Sequence, residues 1–316
     1  MNIKDLLILT MVKSIGPAFL KRNLNRLMTE ESCLAIIKEN KPEEEDEIHI
    51  YAKAADKIIS DCQLDDIEMV SILSPDYPQQ LMEISDPPSV LYVKGNKSLL
   101  KKVIAIIGTR KSTPLGNNIA ERLGLYFSNQ YSICNGLVEG IDEHSIYVDG
   151  IVLQNVVGII SGGLCYKETC SNTHIRVIED VLKAGGLIIS EFAPHQKEDK
   201  FSGSKASRIQ AGLSHGLILV QSKIDGGSKY TLASYAKLER ALGVIHFPNS
   251  EEYKTEVFGA NRLIIEKQKE GVAEMIGLKK TNNIKLRSII TIESKADYET
   301  FSSRIGVNTQ NPMFVF

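Results

Sequence analysis

The chain of 316 residues lacks any apolar run near the ~18 residues that a membrane span requires. Its first segment, MNIKDLLILTMVKSIG, holds an apolar stretch of only about eight residues with no small-residue cleavage site after it, so we expect no signal peptide. Cysteine is sparse and odd in number, and no pair has C-x-x-C spacing: Cys33, Cys62, Cys134, Cys165 and Cys170. These absences exclude disulfide-rich secreted modules and favour a cytoplasmic protein with reduced thiols.

Motifs that mark common enzymes are also missing. The patterns G-x-S-x-G, H-E-x-x-H and G-x-x-x-x-G-K-[ST] do not occur, and the cysteines and histidines lack zinc-ligand spacing. We therefore expect no catalytic residues, no metal site and no cofactor. Glu191 follows the apolar run GLIIS, where a lone carboxylate can serve catalysis or fix a loop by hydrogen bonds.

Charge is nearly balanced overall but unevenly distributed. The 37 Lys and Arg residues against 39 Asp and Glu residues leave a net charge of −2, yet residues 28–75 carry thirteen acidic and four basic side chains. The rest of the chain therefore has a net charge of +7. Such a distribution is compatible with an anionic ligand held in a positively charged cleft. We interpret the acidic run 43–47 as a solvated loop or helix start.

Glycine divides the chain, because 21 of the 23 glycines lie between Gly95 and Gly277. The preceding part has apolar residues at helical spacing, and the break at Ile15-Gly16-Pro17 predicts a helix–turn–helix with a third helix near 47–62. A proline-punctuated segment ending in VLYVKGN then predicts a linker and an edge strand. We predict a small all-α domain over 1–70, an α/β domain over 71–277 and an extension over 278–316. In that extension, KKTNNIKLRSIITIES can form a strand.

Short, continuously apolar runs alternate with helical patterns after residue 103. The predicted strands are 103–107, 131–135, 155–160, 186–190, 216–221 and 243–247, and the predicted helices lie at about 115–128, 142–149, 172–184, 205–213 and 229–241. Strands that are apolar on both faces are typical of a parallel sheet. The fold class is therefore a Rossmann-like, doubly wound, mainly parallel α/β sheet, whose ligands bind beyond the carboxyl ends of the strands.

Four glycine-containing loops follow predicted strands and can form anion-binding turns. Hydroxyls and cations accompany the glycines in the first and fourth loops, and a histidine follows the second. We interpret Asp142 in the second loop as the N-cap of the next helix or a ligand contact. The candidate residues are Gly108, Thr109, Arg110, Lys111, Ser112, Gly136, Gly140, His144, Gly162, Gly163, Gly226, Gly227, Ser228 and Lys229.

A basic segment is a further candidate region, beside the four loops. The stretch KEDKFSGSKASR, at 197–208, contains Lys205 and Arg208 together with Phe201. Cations can hold a nucleic-acid backbone while an aromatic ring beside them stacks a base. The alternative interpretation is that the segment is a solvated surface.

These segments, taken in order, resemble one known family. VIAIIGTRKSTPLGNNIAERLG, NGLVEGIDEHS, VVGIISGGL, GGLIISEFAP, SRIQAGLSHGLILVQS, DGGSKYTLAS and FGANRLI follow the order found in the DprA/Smf family of DNA-processing proteins. The resemblance spans about 75–277, and YPQQLMEISDPPSVLYVKGN resembles that family's lead-in to its Rossmann domain.

The resemblance implies an extended Rossmann fold that binds single-stranded DNA, forms a homodimer and helps to load a strand-exchange recombinase. Members of this family are not known as enzymes. The helical N-terminus resembles their SAM-like or helix-hairpin-helix domain. In the family a Gly-x-Arg loop contacts DNA phosphate, which implies that role for Gly108, Thr109 and Arg110 here.

The sequence also departs from the family pattern. Glu139 stands where the family's GLARGID has arginine, and FSGSKASRIQAGLS keeps only Arg208, with Lys205 close by. GGSKYTLA replaces the usual GSL-x-T-A, and no winged helix is recognisable in 278–316. A shift of about two charges predicts weaker DNA binding or a need for a dimer.

Two alternative functions stay open. Divergent family members act as antitoxin-like or regulatory partners of a toxin-like protein in phage defence. The wider Rossmann superfamily also includes nucleoside-monophosphate hydrolases of the LOG type, which use a G-G-x-G-T-x-x-E loop. In the corresponding stretch here, 226–234, no glutamate follows Thr231, which disfavours that enzyme chemistry.

Overall fold

The computed structural model describes residues 1–29 and 32–306. Five α-helices form the N-terminal region. Asn2 caps the first by accepting a hydrogen bond from the Asp5 N–H, and Gly16-Pro17 starts the second, as the sequence predicts. The helices are α1 (Ile3–Met11), α2 (Pro17–Arg22), α3 (Leu24–Leu27), α4 (Cys33–Asn40) and α5 (Ile48–Leu64). The predicted third helix is α5, whereas α4 was not anticipated.

A nine-stranded, mostly parallel sheet forms the centre of the molecule. Its strands are β1 (Glu68–Ser71), β2 (Val90–Gly95), β3 (Val103–Ile107), β4 (Ser132–Asn135), β7 (Val156–Ile159), β8 (Leu187–Ser190), β9 (Gly216–Leu219), β10 (Ala241–Ile245) and β11 (Ser288–Ile292), while β5 (Tyr147–Val148) and β6 (Ile151–Val152) form a separate hairpin. The order across the sheet is β1-β2-β8-β7-β4-β3-β9-β10-β11. The seven strands from β8 to β11 in this order are parallel, which confirms the predicted fold class.

Helices cover the two faces of this sheet. They are α6 (Pro114–Phe127), α7 (Ile141–His144), α8 (Tyr166–Thr169), α9 (Asn172–Lys183), α10 (Ser202–Leu213), α11 (Ser228–Tyr235), α12 (Gly259–Lys267), α13 (Lys269–Met275) and α14 (Ala296–Arg304). The chain runs from β3 to one side of the sheet and returns to the other side at β9, so the strand order reverses between β3 and β9. In doubly wound sheets this reversal opens the ligand crevice.

Three local predictions were wrong. The strand in VLYVKGN does not lie at the edge, because β1 pairs with it antiparallel and covers it. The helix predicted over 142–149 ends at His144, and the chain then turns back through Asp149 and Gly150, both with positive φ, as the β5–β6 hairpin. The helix predicted to reach 241 ends at Tyr235.

The C-terminal strand and helix pack directly onto the sheet. β11 pairs in parallel with β10, which confirms a strand in that segment. α14 then places Tyr298 and Phe301 against Tyr126 and Phe127 of α6, with ring centroids 4.9 to 5.8 Å apart. No helix among the described residues combines the length and apolarity needed to cross a membrane.

Candidate functional site

The loop after β3 is tied to the end of β9. The backbone N–H of Thr109 donates to the carbonyl oxygen of Gln221 (2.8 Å), and the N–H of Thr113 donates to the Gln221 side-chain oxygen (3.0 Å). Thr113 also caps α6 through a bond from the Gly116 N–H. These bonds fix the backbone on both sides of Arg110, whose side chain is exposed.

The loop after β4 presses against this first loop. Gly140 has φ of +85°, and a side chain there would overlap the carbonyl oxygens of Thr109 and Arg110. The Ile141 N–H donates to the Thr109 carbonyl oxygen (3.2 Å), and Gly108 has room for no side chain because Ile141 packs on it. Two of the predicted glycines therefore bring the loops after β3 and β4 together, with Arg110 at their junction.

Asp142 holds the β4 loop from within. Its carboxylate accepts the Gly136 N–H (2.8 Å), whereas α7 is capped by Gly140, so the predicted N-cap role of Asp142 was wrong. Burial raises the pKa of the Asp142 carboxyl to about 7, and the nearby Arg110 guanidinium opposes that rise. The buried Asp142 side chain therefore stabilises the loop that carries Glu139.

Arg110 lines a cleft of about 480 Å³ at the carboxyl edge of the sheet. The walls come from the β4 loop, Ser161 after β7, the α8–α9 segment and Lys197-Glu198. Among the described residues, neither Arg110 nor Lys197 has an ion-pair partner. Glu143, in contrast, is paired with Arg176 (2.6 Å). The cleft thus offers two unpaired cations to an anionic ligand.

Histidine enters the cleft at a position that the sequence did not indicate. His174, near the start of α9, lies with Nε2 at 3.2 Å from the Gly136 carbonyl oxygen, and burial lowers its pKa. Because His174 and Gly136 are 38 residues apart in the chain, no sequence spacing predicts their contact. The predicted His144 is half-buried and does not line this cleft.

The double glycine after β7 serves close packing. A side chain at Gly163 would overlap the carbonyl oxygens of Ala193 and Pro194, and the Gly163 N–H donates to the Gln196 carbonyl oxygen (2.8 Å). A side chain at Gly162 would crowd Thr169. These glycines therefore let the loops after β7 and β8 pack closely together. That packing positions Ser161 in the wall of the cleft.

The predicted loop after β9 lies beyond Gln221 and does not line the cleft. Gly227 is exposed with open space around it, and α11 begins at Ser228. The Ser228 hydroxyl is buried without a hydrogen-bond partner among the described residues. Lys229 lies over the Tyr230 ring, 5.5 Å from its centroid. Close to the cleft, Lys111 is exposed, and the Ser112 hydroxyl is bonded to Asn117.

The two cations predicted on α10 differ in their surroundings. Lys205 is exposed, with its ammonium 5.3 Å from the centroid of the Phe192 ring. Arg208 is 11% exposed and donates two hydrogen bonds of 2.7 Å to Glu191 and one of 2.9 Å to Asp86. Glu191 therefore fixes Arg208, and that guanidinium faces carboxylates rather than solvent.

Comparison with known proteins places this architecture in one family. The profile of the DNA recombination-mediator protein A family matches residues 68–281. The DNA processing protein DprA of Bacillus subtilis is 33% identical over 187 residues, which cover 58% of this chain and 61% of that relative. The chain thus matches somewhat less than two thirds of that relative's length.

Solved structures show the same fold. The X-ray structure of DprA from Streptococcus pneumoniae superposes with a TM-score of 0.71 at 24% identity, covering 85% of this chain and 93% of the other. A Helicobacter pylori DprA structure, whose subject is its single-stranded DNA binding mode, has a TM-score of 0.55 at 24% identity over 64% of this chain and 88% of the other. Because the family profile matches residues 68–281, more than half of the chain, the chain belongs to the DNA recombination-mediator protein A family.

Proposed function

We propose that this protein binds single-stranded DNA through its phosphates and acts as a recombination mediator of the DprA type. The observation that carries the proposal is the position of Arg110. Its backbone is fixed by Gln221 and Gly140, and its exposed guanidinium lines the cleft at the carboxyl edge of the sheet. A guanidinium in a fixed place can hold a phosphate through two parallel hydrogen bonds.

A run of cations that begins with Lys197 in the cleft continues the proposed interface along the chain. Lys197, Lys200 and Lys205 are all exposed on the segment after β8, and none has an ion-pair partner among the described residues. Phe201, between them in sequence, is 57% exposed. An exposed ring beside unpaired cations can stack a base while the cations follow the backbone.

Single-stranded DNA is the nucleic acid that these features favour. The cations lie on loops at the carboxyl edge of the sheet and in the first turn of α10, and stacking on Phe201 needs a base that is free of its complement. The Helicobacter pylori protein of the same fold is described as binding single-stranded DNA, which supports the same class of ligand here. We expect little base preference, since phosphate contacts carry no sequence information.

Acidic side chains limit the affinity that we expect. Glu139 is exposed in the cleft next to Arg110, and Glu198 accepts a hydrogen bond from Ser161 there (2.8 Å). Homodimerisation, which the family resemblance implies, would double the number of phosphate contacts. Pairing with a strand-exchange recombinase or with a toxin-like protein stays a prediction of that resemblance.

A titration with labelled oligonucleotides tests the proposal. Fluorescence anisotropy is measured with single strands of mixed and of homopolymeric sequence, and with a duplex of the same length, at two salt concentrations. We expect tighter binding to the single strands, similar affinity for each sequence, and a marked loss of affinity at the higher salt. Tighter binding to the duplex, or no binding at low salt, would contradict the proposal.

A further inference from the structure

Three side chains from distant parts of the chain, none of which lines the cleft, bring donor atoms of the types found in metal sites together. Asp65 follows α5, Cys165 precedes α8, and His195 lies after β8. The Cys165 Sγ is 3.2 Å from the Asp65 Oδ2 and 3.6 Å from the His195 Nε2. All three donor atoms lie within 4.8 Å of one another.

These separations fit the coordination shell of one small cation. Zn²⁺ binds sulfur at about 2.3 Å and nitrogen or oxygen at about 2.0–2.2 Å in tetrahedral geometry, which sets neighbouring donors about 3.3–3.6 Å apart. The two sulfur distances are close to that range. A thiol, an imidazole and a carboxylate are also the donor types that Zn²⁺ takes in proteins.

A fourth residue orients the histidine. The His195 Nδ1 lies 2.9 Å from the Glu168 Oε2, so a protonated Nδ1 donates to that carboxylate and leaves the Nε2 lone pair directed towards Cys165. A carboxylate on the far nitrogen is the usual partner of a zinc-binding histidine. Asp61, one helical turn before Asp65, has its Oδ2 3.7 Å from the same Nε2 and is a further donor for the fourth position.

Two carboxylates of the cluster have no cationic partner. Lys57 pairs with the Asp61 carboxylate (2.8 Å) and Lys94 donates to the backbone carbonyl oxygen of Asp65, but among the described residues no lysine or arginine pairs with the carboxylate of Asp65 or of Glu168. A divalent cation would neutralise these carboxylates and displace the thiol proton to solvent, with no change of oxidation state.

We propose that Asp65, Cys165 and His195 form a structural zinc site that fastens the end of α5 to the loops after β7 and β8. None of these three ligands lines the cleft, so the proposal does not depend on the proposed DNA binding. It joins the N-terminal helices to the sheet at the place where the Gly163 loop already packs on Ala193. The sequence indicated no metal site, because its ligands are 100 and 30 residues apart.

Metal content of the purified full chain is the first test. The protein is stripped with a chelator, reloaded with ZnCl₂, desalted and measured by plasma mass spectrometry. We expect one zinc per chain for the wild type and for Cys170→Ser, and less than a tenth of that for Cys165→Ser. Cys170→Ser is the matched control, since Cys170, His174 and Glu198 form the other donor cluster, in which the His174 Nε2 already contacts a carbonyl oxygen.

Two further variants keep the test decisive if Cys165→Ser fails to fold. His195 is 41% exposed and Glu168 is 64% exposed, so His195→Gln and Glu168→Gln should fold. We expect His195→Gln to abolish zinc retention and Glu168→Gln to weaken affinity about 10–100-fold in competition with a chromophoric chelator. Co²⁺ loading should produce a thiolate charge-transfer band in Cys170→Ser and none in Cys165→Ser. No retained zinc in the wild type, or zinc lost only in Cys170→Ser, would overturn the proposal.

Discussion

Arg110 and Arg208 show how much a residue's partners decide its role. Both were predicted as phosphate contacts from their positions after β3 and on α10. Arg110 is exposed without an ion-pair partner among the described residues, whereas Arg208 is bound by Glu191 and Asp86. The sequence could indicate each arginine, but the carboxylates that occupy Arg208 lie 17 and 122 residues away along the chain.

Arg208→Ala should therefore affect stability. Removing one partner of a mostly buried ion pair leaves an uncompensated carboxylate and typically costs about 3–5 kcal/mol in the free energy of unfolding. Urea unfolding measures the loss. Arg176→Ala is the control, since Arg176 is 56% exposed in its pair with Glu143 and should cost no more than ~1 kcal/mol. Equal losses in the two variants would show that Arg208 is not a structural anchor.

Glu139→Gln should strengthen DNA binding. The exposed Glu139 carboxylate faces the cleft that Arg110 lines, so it repels a phosphate there. Its removal should gain about 0.5–1 kcal/mol, the size of an exposed charge interaction, as measured by anisotropy at low salt. Glu299→Gln on α14 removes the same charge away from the cleft and should change little. A gain of the same size in Glu299→Gln would indicate a general charge effect.

At the scale of the loops, Gly140 and Asp142 hold the elements that present Arg110. Gly140 lets the β4 loop contact the backbone at Thr109 and Arg110, and Asp142 bonds the start of that loop at Gly136. The glycines were visible in the sequence as candidate anion-binding turns. Their contacts were not, because a glycine that approaches a phosphate and one that approaches another loop leave the same pattern.

Gly140→Ala should weaken both stability and DNA binding. An alanine at this position would have a side chain at positive φ, and its Cβ would overlap two carbonyl oxygens. We expect this to lower the free energy of unfolding by ~1–3 kcal/mol and to displace Arg110. Gly185→Ala is the matched control, since Gly185 has φ of +86° and open space around it. Unfolding measurements should show a loss in both variants, and anisotropy a loss in Gly140→Ala alone. Unimpaired DNA binding by a folded Gly140→Ala variant would contradict the role of this contact.

Asp142→Asn should flatten the dependence of stability on pH. The folded-state pKa of Asp142, about 7, lies above its unfolded value near 3.9, so the folded state holds the proton longer. The stabilisation from this carboxyl is full below about pH 4 and is lost as the pH rises to 7, by about 1.4 kcal/mol per unit at most. Unfolding at pH 5 and 7.5 should therefore differ less in Asp142→Asn. An identical difference in both proteins would refute the raised pKa.

At the scale of the whole molecule, the buried strands were the most predictable feature. Continuous apolar runs predicted β3, β4, β7, β8, β9 and β10, because a parallel sheet covered on both faces requires them. β1 escaped prediction, since its four residues, Glu68–Ser71, have no distinctive pattern. Pairing between distant segments, such as β11 with β10, depends on tertiary packing that periodicity does not report.

The same limit applies to the candidate sites. Arg110 and the glycines that fix its loop could be predicted, because they directly follow predicted strands. His174 and the Asp65, Cys165 and His195 cluster depend on residues that only the folded chain brings together. Family resemblance indicated the loop that we propose binds phosphate, but not the carboxylates around Arg208.

The salt dependence of single-stranded DNA binding by Arg110→Ala tests the role of Arg110 most directly. Loss of one charge-assisted phosphate contact should weaken binding by about 1.5–3 kcal/mol and reduce the slope of log affinity against log salt by about 0.7. The melting temperature should stay near that of the wild type, because the side chain is exposed. Arg122→Ala, an exposed arginine on α6 outside the cleft, should leave affinity and slope unchanged. An unchanged slope in Arg110→Ala together with a lowered melting temperature would show that Arg110 braces its loops instead of binding phosphate.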